Sequence, residues 1–145
     1  MDIKYDSSIF PIKRKLYGFP GRKSFPHKII TNNGKHLYEL PVSTINFLSK
    51  TLPIGGGGYF RFLPYYVVQK AISAINKKGQ PAVFYLHPYE LDTNGLLKPF
   101  HNESTKTRFV RFSQGFNRSK TEAKLRKLLT DFNWTSITEW MNKHM

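Results

Sequence analysis

The hydrophobic pattern is clearest in the middle of the chain. Apolar residues recur there at spacings of three, four and three, which predicts a helix. Pro64 suits its first turn, and the Lys-Lys-Gly sequence at 77–79 suits its C-terminal end, with Gly79 in a left-handed conformation. The residues of this apolar stripe are Tyr65, Val68, Ile72 and Ile75.

The C-terminal part of the chain predicts two further helices. Ser119 with Glu122 matches a capping box at the start of the first, and Ser136 with Glu139 repeats it before a short terminal helix. The first of these helices carries a stripe that we expect to be buried. This stripe consists of Leu125, Leu128, Leu129 and Phe132.

Strand signals are shorter. Residues 36–40 predict a strand that ends before Pro41. The run Ala82–Leu86 is apolar at every position, which is typical of an interior strand covered by helices in an α/β protein. Residues 108–112 interleave arginine with phenylalanine, which favours a half-buried strand whose aromatic face is core over a stacking surface for nucleic acid. The first thirty residues are rich in turn signals, so we expect no long helix there.

Composition adds a strong positive charge. The 145 residues include 23 Lys and Arg against 9 Asp and Glu, a net charge of +14. Such an excess suits an anionic partner, namely a nucleic acid, an acidic polysaccharide or a membrane surface, and equally a solvated basic surface. Cysteine is absent, which excludes disulfides and thiolate catalysis. No apolar run is long enough to cross a membrane and no export signal is present, so the expected location by default is the cytoplasm.

His87 is the sharpest candidate for chemistry. It follows the predicted strand 82–86, and catalytic groups in α/β proteins commonly lie at the C-terminal ends of strands. An imidazole there can act as a general acid or base near neutral pH. The alternative is a histidine that only caps a strand end through a backbone hydrogen bond.

Two further candidates depend on contacts that the sequence does not prove. Asp6, before two serines, suits an Asx turn, and it gains a catalytic meaning only if it bonds to His87 and fixes its tautomer. Arg61 follows the run Gly55–Gly58 and could face a pocket or the surface. That glycine run lacks the Lys-Ser/Thr of a phosphate-binding loop, so we interpret it as a tight loop that lets backbone approach other groups.

A metal site is not supported by the sequence pattern. The five histidines have no partner at the spacings typical of metal ligands, and none joins a carboxylate cluster. They are His27, His36, His87, His101 and His144.

Five blocks in order closely resemble the C-terminal region of NodB-type polysaccharide deacetylases from exopolysaccharide loci, including an extension of uncharacterised role. The resemblance covers nearly the whole chain. The blocks are Tyr5–Pro11, Glu39–Thr44, Gly56–Arg61, Pro81–Leu91 and Ser119–Leu125.

The resemblance implies an α/β fold, the C-terminal part of a distorted (β/α) barrel at residues 1–91, followed by a helical extension at 92–145. It implies metal-dependent hydrolysis of N-acetyl groups on amino-sugar polysaccharides. His87 would then be the general acid and Asp6 the carboxylate that orients and tunes it. Leu86 would line the acetyl pocket, and Arg61 would contact substrate.

The same family carries a Thr-Phe-Asp-Asp-Gly motif and a His-x-x-x-His-type motif, and both are absent here. We therefore expect no metal in this chain, a divalent metal such as zinc only in a complete enzyme, and no catalysis by the chain alone. An N-terminal deacetylase half is the expected partner, supplied by a longer or split gene. The alternative function is a non-catalytic basic module that binds an acidic polysaccharide or, less favoured, a nucleic acid.

Overall fold

In the computed structural model of the chain, residues 3–13, 18–47, 50–93 and 104–144 are described. Over these ranges the chain is a mixed α/β protein with two small sheets and several helices, so the predicted α/β class is confirmed. No closed barrel forms within them. His101, one of the five histidines, lies outside the described residues.

The first sheet holds three strands: β1 (Tyr5–Asp6), β2 (His27–Ile30) and β3 (His36–Glu39). Strand β3 is central, parallel to β1 and antiparallel to β2. The strand predicted at 36–40 is therefore confirmed. A second sheet is the antiparallel pair β4 (Thr44–Phe47) and β5 (Lys50–Pro53).

Five helices follow in these ranges: α1 (Gly57–Phe62), α2 (Tyr65–Asn76), α3 (Thr105–Gly115), α4 (Arg118–Asp131) and α5 (Ile137–His144). Helix α2 confirms the helix predicted from the apolar stripe, and Gly79 beyond it has the expected positive φ of 68°. No helix in the described part of the chain has the length and apolar character needed to cross a membrane.

The core joins α1 and α2 to α4. Ile54, Phe60, Val68, Ala71, Ile72, Ile75 and Leu128 form one buried cluster. Phe84 packs edge-on against both Phe60 and Trp134, at centroid distances of 5.0 and 6.0 Å. Residues from both predicted segments, 1–91 and 92–145, therefore share one core, because Leu128 and Trp134 come from the second.

The interior strand predicted at 82–86 is wrong. The segment makes only one isolated parallel bridge, between Tyr85 and Gly56. Phe84 packs against Phe60, whereas Tyr85 is 40% exposed and the other residues of the run are half-buried. A continuous apolar run has no period, so it does not identify the secondary structure of the segment.

The strand predicted at 108–112 is also wrong, because these residues lie inside α3. Phe109, Phe112 and Phe116 are spaced by three and four residues, which suits a helix, and Ser104 caps it by accepting a hydrogen bond of 3.2 Å from the Thr107 N–H. The prediction that these phenylalanines form core is wrong as well, since α3 buries no residue.

The capping boxes had different outcomes. Helix α4 begins at Arg118, after Asn117 in a left-handed conformation, so Ser119 lies inside the helix and does not cap it. Of its predicted buried stripe, Leu128 is buried whereas Leu129 is 53% exposed. Before α5, the Ser136 hydroxyl accepts from the Glu139 N–H at 3.2 Å, which confirms the cap.

Candidate functional site

The glycine run brings two distant segments into contact. The Gly55 carbonyl accepts a 2.8 Å hydrogen bond from the Tyr85 N–H. At Gly56 a Cβ would lie 3.1 Å from the Tyr85 hydroxyl, and at Gly57 it would overlap the carboxylate of Glu90. The close approach predicted for this run is confirmed at its first three glycines, and the segment that approaches them is 83–90. The run is not all loop, because Gly57 and Gly58 begin α1.

Glu90 is the buried centre of this contact. It is 1% exposed, and its Oε2 accepts the His87 N–H at 3.1 Å. The Glu90 N–H in turn donates to the His87 carbonyl at 2.9 Å, which closes a short 3₁₀ turn at Pro88–Glu90. Its Oε1 lies 3.5 Å from Nε of Arg61, so the carboxylate is paired with a cation.

Arg61 is buried beneath the surface, with 4% of its area exposed. Its guanidinium donates to the carbonyls of Ser113, Gln114 and Phe116, which end helix α3. A cation is favourable there because the last carbonyls of a helix carry negative partial charge. Arg61 thus ties α1, the His87 turn and α3 together, and its contact with substrate stays a prediction.

The His87 imidazole, by contrast, is exposed. It stacks on Tyr89 with centroids 5.2 Å apart and planes inclined by 10°, and it meets Tyr85 edge-on at 5.4 Å. Tyr89 is backed by the guanidinium of buried Arg118, 5.4 Å from the ring centre. The ring therefore stands on an aromatic support, on a backbone that Glu90 fixes.

Leu86 precedes this histidine and is half-buried, packed against the core cluster of Phe60 and Val68. Its predicted place in an acetyl pocket is not tested by this packing. The side chain is apolar and precedes the exposed histidine in sequence, as that role requires. The role itself stays a prediction.

Asp6 lies in β1, in register with Glu39 of β3. Its carboxylate accepts the Ser7 N–H at 2.9 Å and the Ser8 hydroxyl at 2.5 Å, which is the local turn that its sequence favours. Among the described residues no hydrogen bond joins Asp6 to His87. Their contact stays a prediction.

The neighbour of Asp6 is the buried carboxyl of Glu39, which accepts the Ile9 N–H at 2.9 Å. Burial raises the pKa of Glu39, and the nearby charge of Asp6 raises it further, while the Ile9 hydrogen bond and His27 act in the opposite direction.

The burial and partners of Glu39 and Glu90 were not predicted from the sequence. Glu90 has a local signal, because a glutamate three residues after His87 can reach back to the His87 N–H as in a capping box. Glu39 has none that we recognise, since its partner Ile9 lies thirty residues away.

No group of three His, Asp or Glu side chains suited to a metal ion occurs within 3–13, 18–47, 50–93 and 104–144. The described residues therefore do not fit the divalent metal that the deacetylase resemblance implies.

The site is thus an exposed histidine held on a buried arginine–glutamate pair. The chain belongs to the family described as Domain of unknown function (DUF3473), which matches residues 7–142. Domains of this family are known as the C-terminal region of polysaccharide deacetylase-like proteins. No curated protein and no solved structure matches the chain.

Proposed function

We propose that this chain is the C-terminal, acid-supplying part of a polysaccharide deacetylase, a hydrolase that removes N-acetyl groups from amino-sugar polymers during exopolysaccharide synthesis. The observation that carries the proposal is the placement of His87: an exposed imidazole on an anchored backbone, in the Leu-His-Pro segment that resembles the deacetylases. Family membership supports the same assignment.

In this proposal His87 protonates the amine that leaves when the amide bond breaks. A general acid must reach the substrate, and an exposed ring on a rigid support meets that condition. Leu86 supplies the apolar wall for the acetyl methyl group. Asp6 orients the imidazole once the complete site forms. The hydrogen bonds that its carboxylate now accepts from Ser7 and Ser8 are local, and a bond to the His87 ring would replace them.

The base and the divalent metal, zinc or a similar ion, come from a polypeptide outside this sequence, which completes the distorted barrel. Water attack on an amide needs an activated nucleophile. Because the described residues offer no such group, the chain by itself is proposed to be inactive.

The first experiment is to translate the DNA that precedes the Met1 codon in all frames, in search of Thr-Phe-Asp-Asp-Gly followed by His-x-x-x-His. The polypeptide found is then produced together with this chain, in the presence of Zn²⁺. Acetate release from N-acetylated chitooligosaccharides is measured with and without each component. We expect release only from the combination.

The matched variants are His87→Ala and His144→Ala, because both histidines are exposed and both stack on an aromatic ring. Loss of a general acid reduces the rate by about 10²–10⁴-fold. We expect that loss for His87→Ala alone. Absence of both motifs upstream, or an active complex indifferent to His87→Ala, would overturn the proposal.

A further inference from the structure

Four phenylalanines form an exposed row on the surface, which we call the aromatic ridge: Phe62, Phe109, Phe112 and Phe116. Their exposed fractions are 51, 71, 66 and 36%. Single exposed apolar residues are ordinary, but a contiguous apolar patch on a protein surface indicates an interaction site.

The ridge is continuous across two elements. Phe62 at the end of α1 stacks on Phe116 with centroids 4.8 Å apart and planes inclined by 10°. Phe116 meets Phe112 at 6.1 Å, and Phe109 lies three residues before Phe112 on the same face of α3. These rings therefore act as one surface.

The ridge is also firmly mounted. Arg61 binds the carbonyls that end α3, and the Ser104 hydroxyl caps its start. The Asn117 side chain donates to the Arg61 carbonyl at 3.1 Å, which fixes the connection beyond Phe116. Helix α3 is thus attached to α1 at its C-terminal end, while its aromatic face is turned to solvent.

Cations accompany the rings. Helix α3 contains Lys106, Arg108 and Arg111 and no acidic residue. A groove of about 340 Å³ is lined by Arg108, Arg111, Phe112, Gly115 and Phe116. A partner for this groove must therefore be anionic and apolar at the same time.

That combination disfavours two occupants. A second copy of the chain would bring like charges together, since each copy carries +14 and α3 holds no acid. Single-stranded nucleic acid binds by stacking bases on open ring faces. In the ridge, Phe62 and Phe116 each cover one face of the other, so these two rings offer fewer open faces for stacking.

We propose that the aromatic ridge docks the protein on the surface of a bilayer that contains anionic lipid. Phenylalanines on one face and lysine or arginine beside them define helices that lie in the membrane interface, with rings among the acyl chains and cations at the headgroup phosphates. The groove, with Arg108 and Phe112 in its lining, suits one such phosphate together with an apolar chain. This inference stands independently of the deacetylase proposal.

The test is sedimentation of the full chain with vesicles, comparing pure phosphatidylcholine with an equal mixture of phosphatidylcholine and phosphatidylglycerol. We expect binding to the anionic vesicles that weakens with added salt and little binding to the neutral ones. Phe109→Ser with Phe112→Ser should weaken binding at least tenfold, because two exposed rings no longer enter the apolar layer.

The charge arm uses Lys106→Gln with Arg108→Gln. Each cation near an anionic surface contributes about fivefold in affinity, so removing both charges should lower the affinity for anionic vesicles roughly 25-fold. The matched controls are Phe47→Ser, 59% exposed and in β4, and Lys77→Gln with Lys78→Gln, exposed beyond α2. We expect both controls to bind like the unaltered chain.

Equal binding to neutral and anionic vesicles would overturn the proposal. So would ridge variants that bind as well as their controls. Binding to a single-stranded oligonucleotide, or formation of dimers, that depends on Phe109 and Phe112 while vesicles are ignored would assign the ridge to those partners instead.

Discussion

The residues that shape the candidate site are constrained by individual atoms of their neighbours. Gly57 faces the carboxylate of Glu90 so closely that a methyl group has no room, whereas Gly58, one residue later, faces nothing within 4 Å. A glycine is therefore required at position 57 but not at position 58.

We expect Gly57→Ala to destabilise the fold by roughly 2–4 kcal/mol, because it displaces a buried ion pair. Gly58→Ala should be neutral or stabilising by up to about 1 kcal/mol, since alanine favours the helical conformation of α1. Urea unfolding followed by circular dichroism compares the two. Equal losses would mean that the Glu90 contact does not limit position 57.

Glu39 makes the stability depend on pH. Folding raises the pKa of Glu39 above its ordinary value of 4.5. At a pH between the unfolded and the folded pKa, the folded state therefore holds more protons than the unfolded chain. Its favourable contribution is complete below about pH 4.5 and is lost as the pH rises through the folded pKa.

Glu39→Gln keeps an acceptor for the Ile9 N–H. We therefore expect the stability of this variant, relative to the unaltered chain, to be greater at pH 7 than at pH 4. Urea midpoints at both pH values measure this difference. Glu122→Gln serves as the control, because Glu122 is exposed and its pair with Arg126 lies at the surface. A gain for Glu39→Gln that is the same at both pH values would contradict the assignment.

At the scale of elements, the periodic apolar pattern of α2 predicted its secondary structure, whereas the continuous apolar run at 82–86 did not. The stripe of α2 predicted that helix because residues at three- and four-residue spacing share one face and pack on the core. The all-apolar run 82–86 carries no period, and it forms neither a strand nor a fully buried segment, since Tyr85 is 40% exposed and the other four residues are half-buried. In α3 the phenylalanines have a helical spacing, yet nothing local reveals that they face solvent.

The candidate site was predictable to a similar extent. His87 was selected because it follows the apolar run 82–86, although the strand predicted there does not form, and the glycine run indicated a close approach. The partners could not be predicted, because Arg61 with Ser113 and Asp6 with Glu39 meet through tertiary packing across thirty to fifty residues. A single sequence does not encode such distances in any local pattern.

At the scale of the whole molecule, one core cluster among the described residues has members on both sides of the boundary predicted at residue 91. Leu128 of α4 is fully buried against the α1–α2 cluster, and Asp131 accepts hydrogen bonds from Tyr65 and Gln69 of α2 at 2.6 Å each. Helix α5, by contrast, buries no residue completely.

We expect a chain of residues 1–91 to lose cooperative unfolding, because the surface that α4 covers becomes exposed. A chain of residues 1–136 should keep a cooperative transition, since it lacks only α5 and the residues after it. Thermal scans by circular dichroism distinguish them. A cooperative transition in the 1–91 chain would instead support an independent first unit.

The position of Trp134 gives the protein an internal optical reporter. Its indole N–H donates to the Leu128 carbonyl at 3.1 Å and its ring meets Phe84, so its emission follows the integrity of the core. The other tryptophan, Trp140, stacks on His144 in the terminal helix. A Trp140→Phe variant would therefore leave a single fluorophore whose red shift marks the separation of α4 from the rest, without any attached dye.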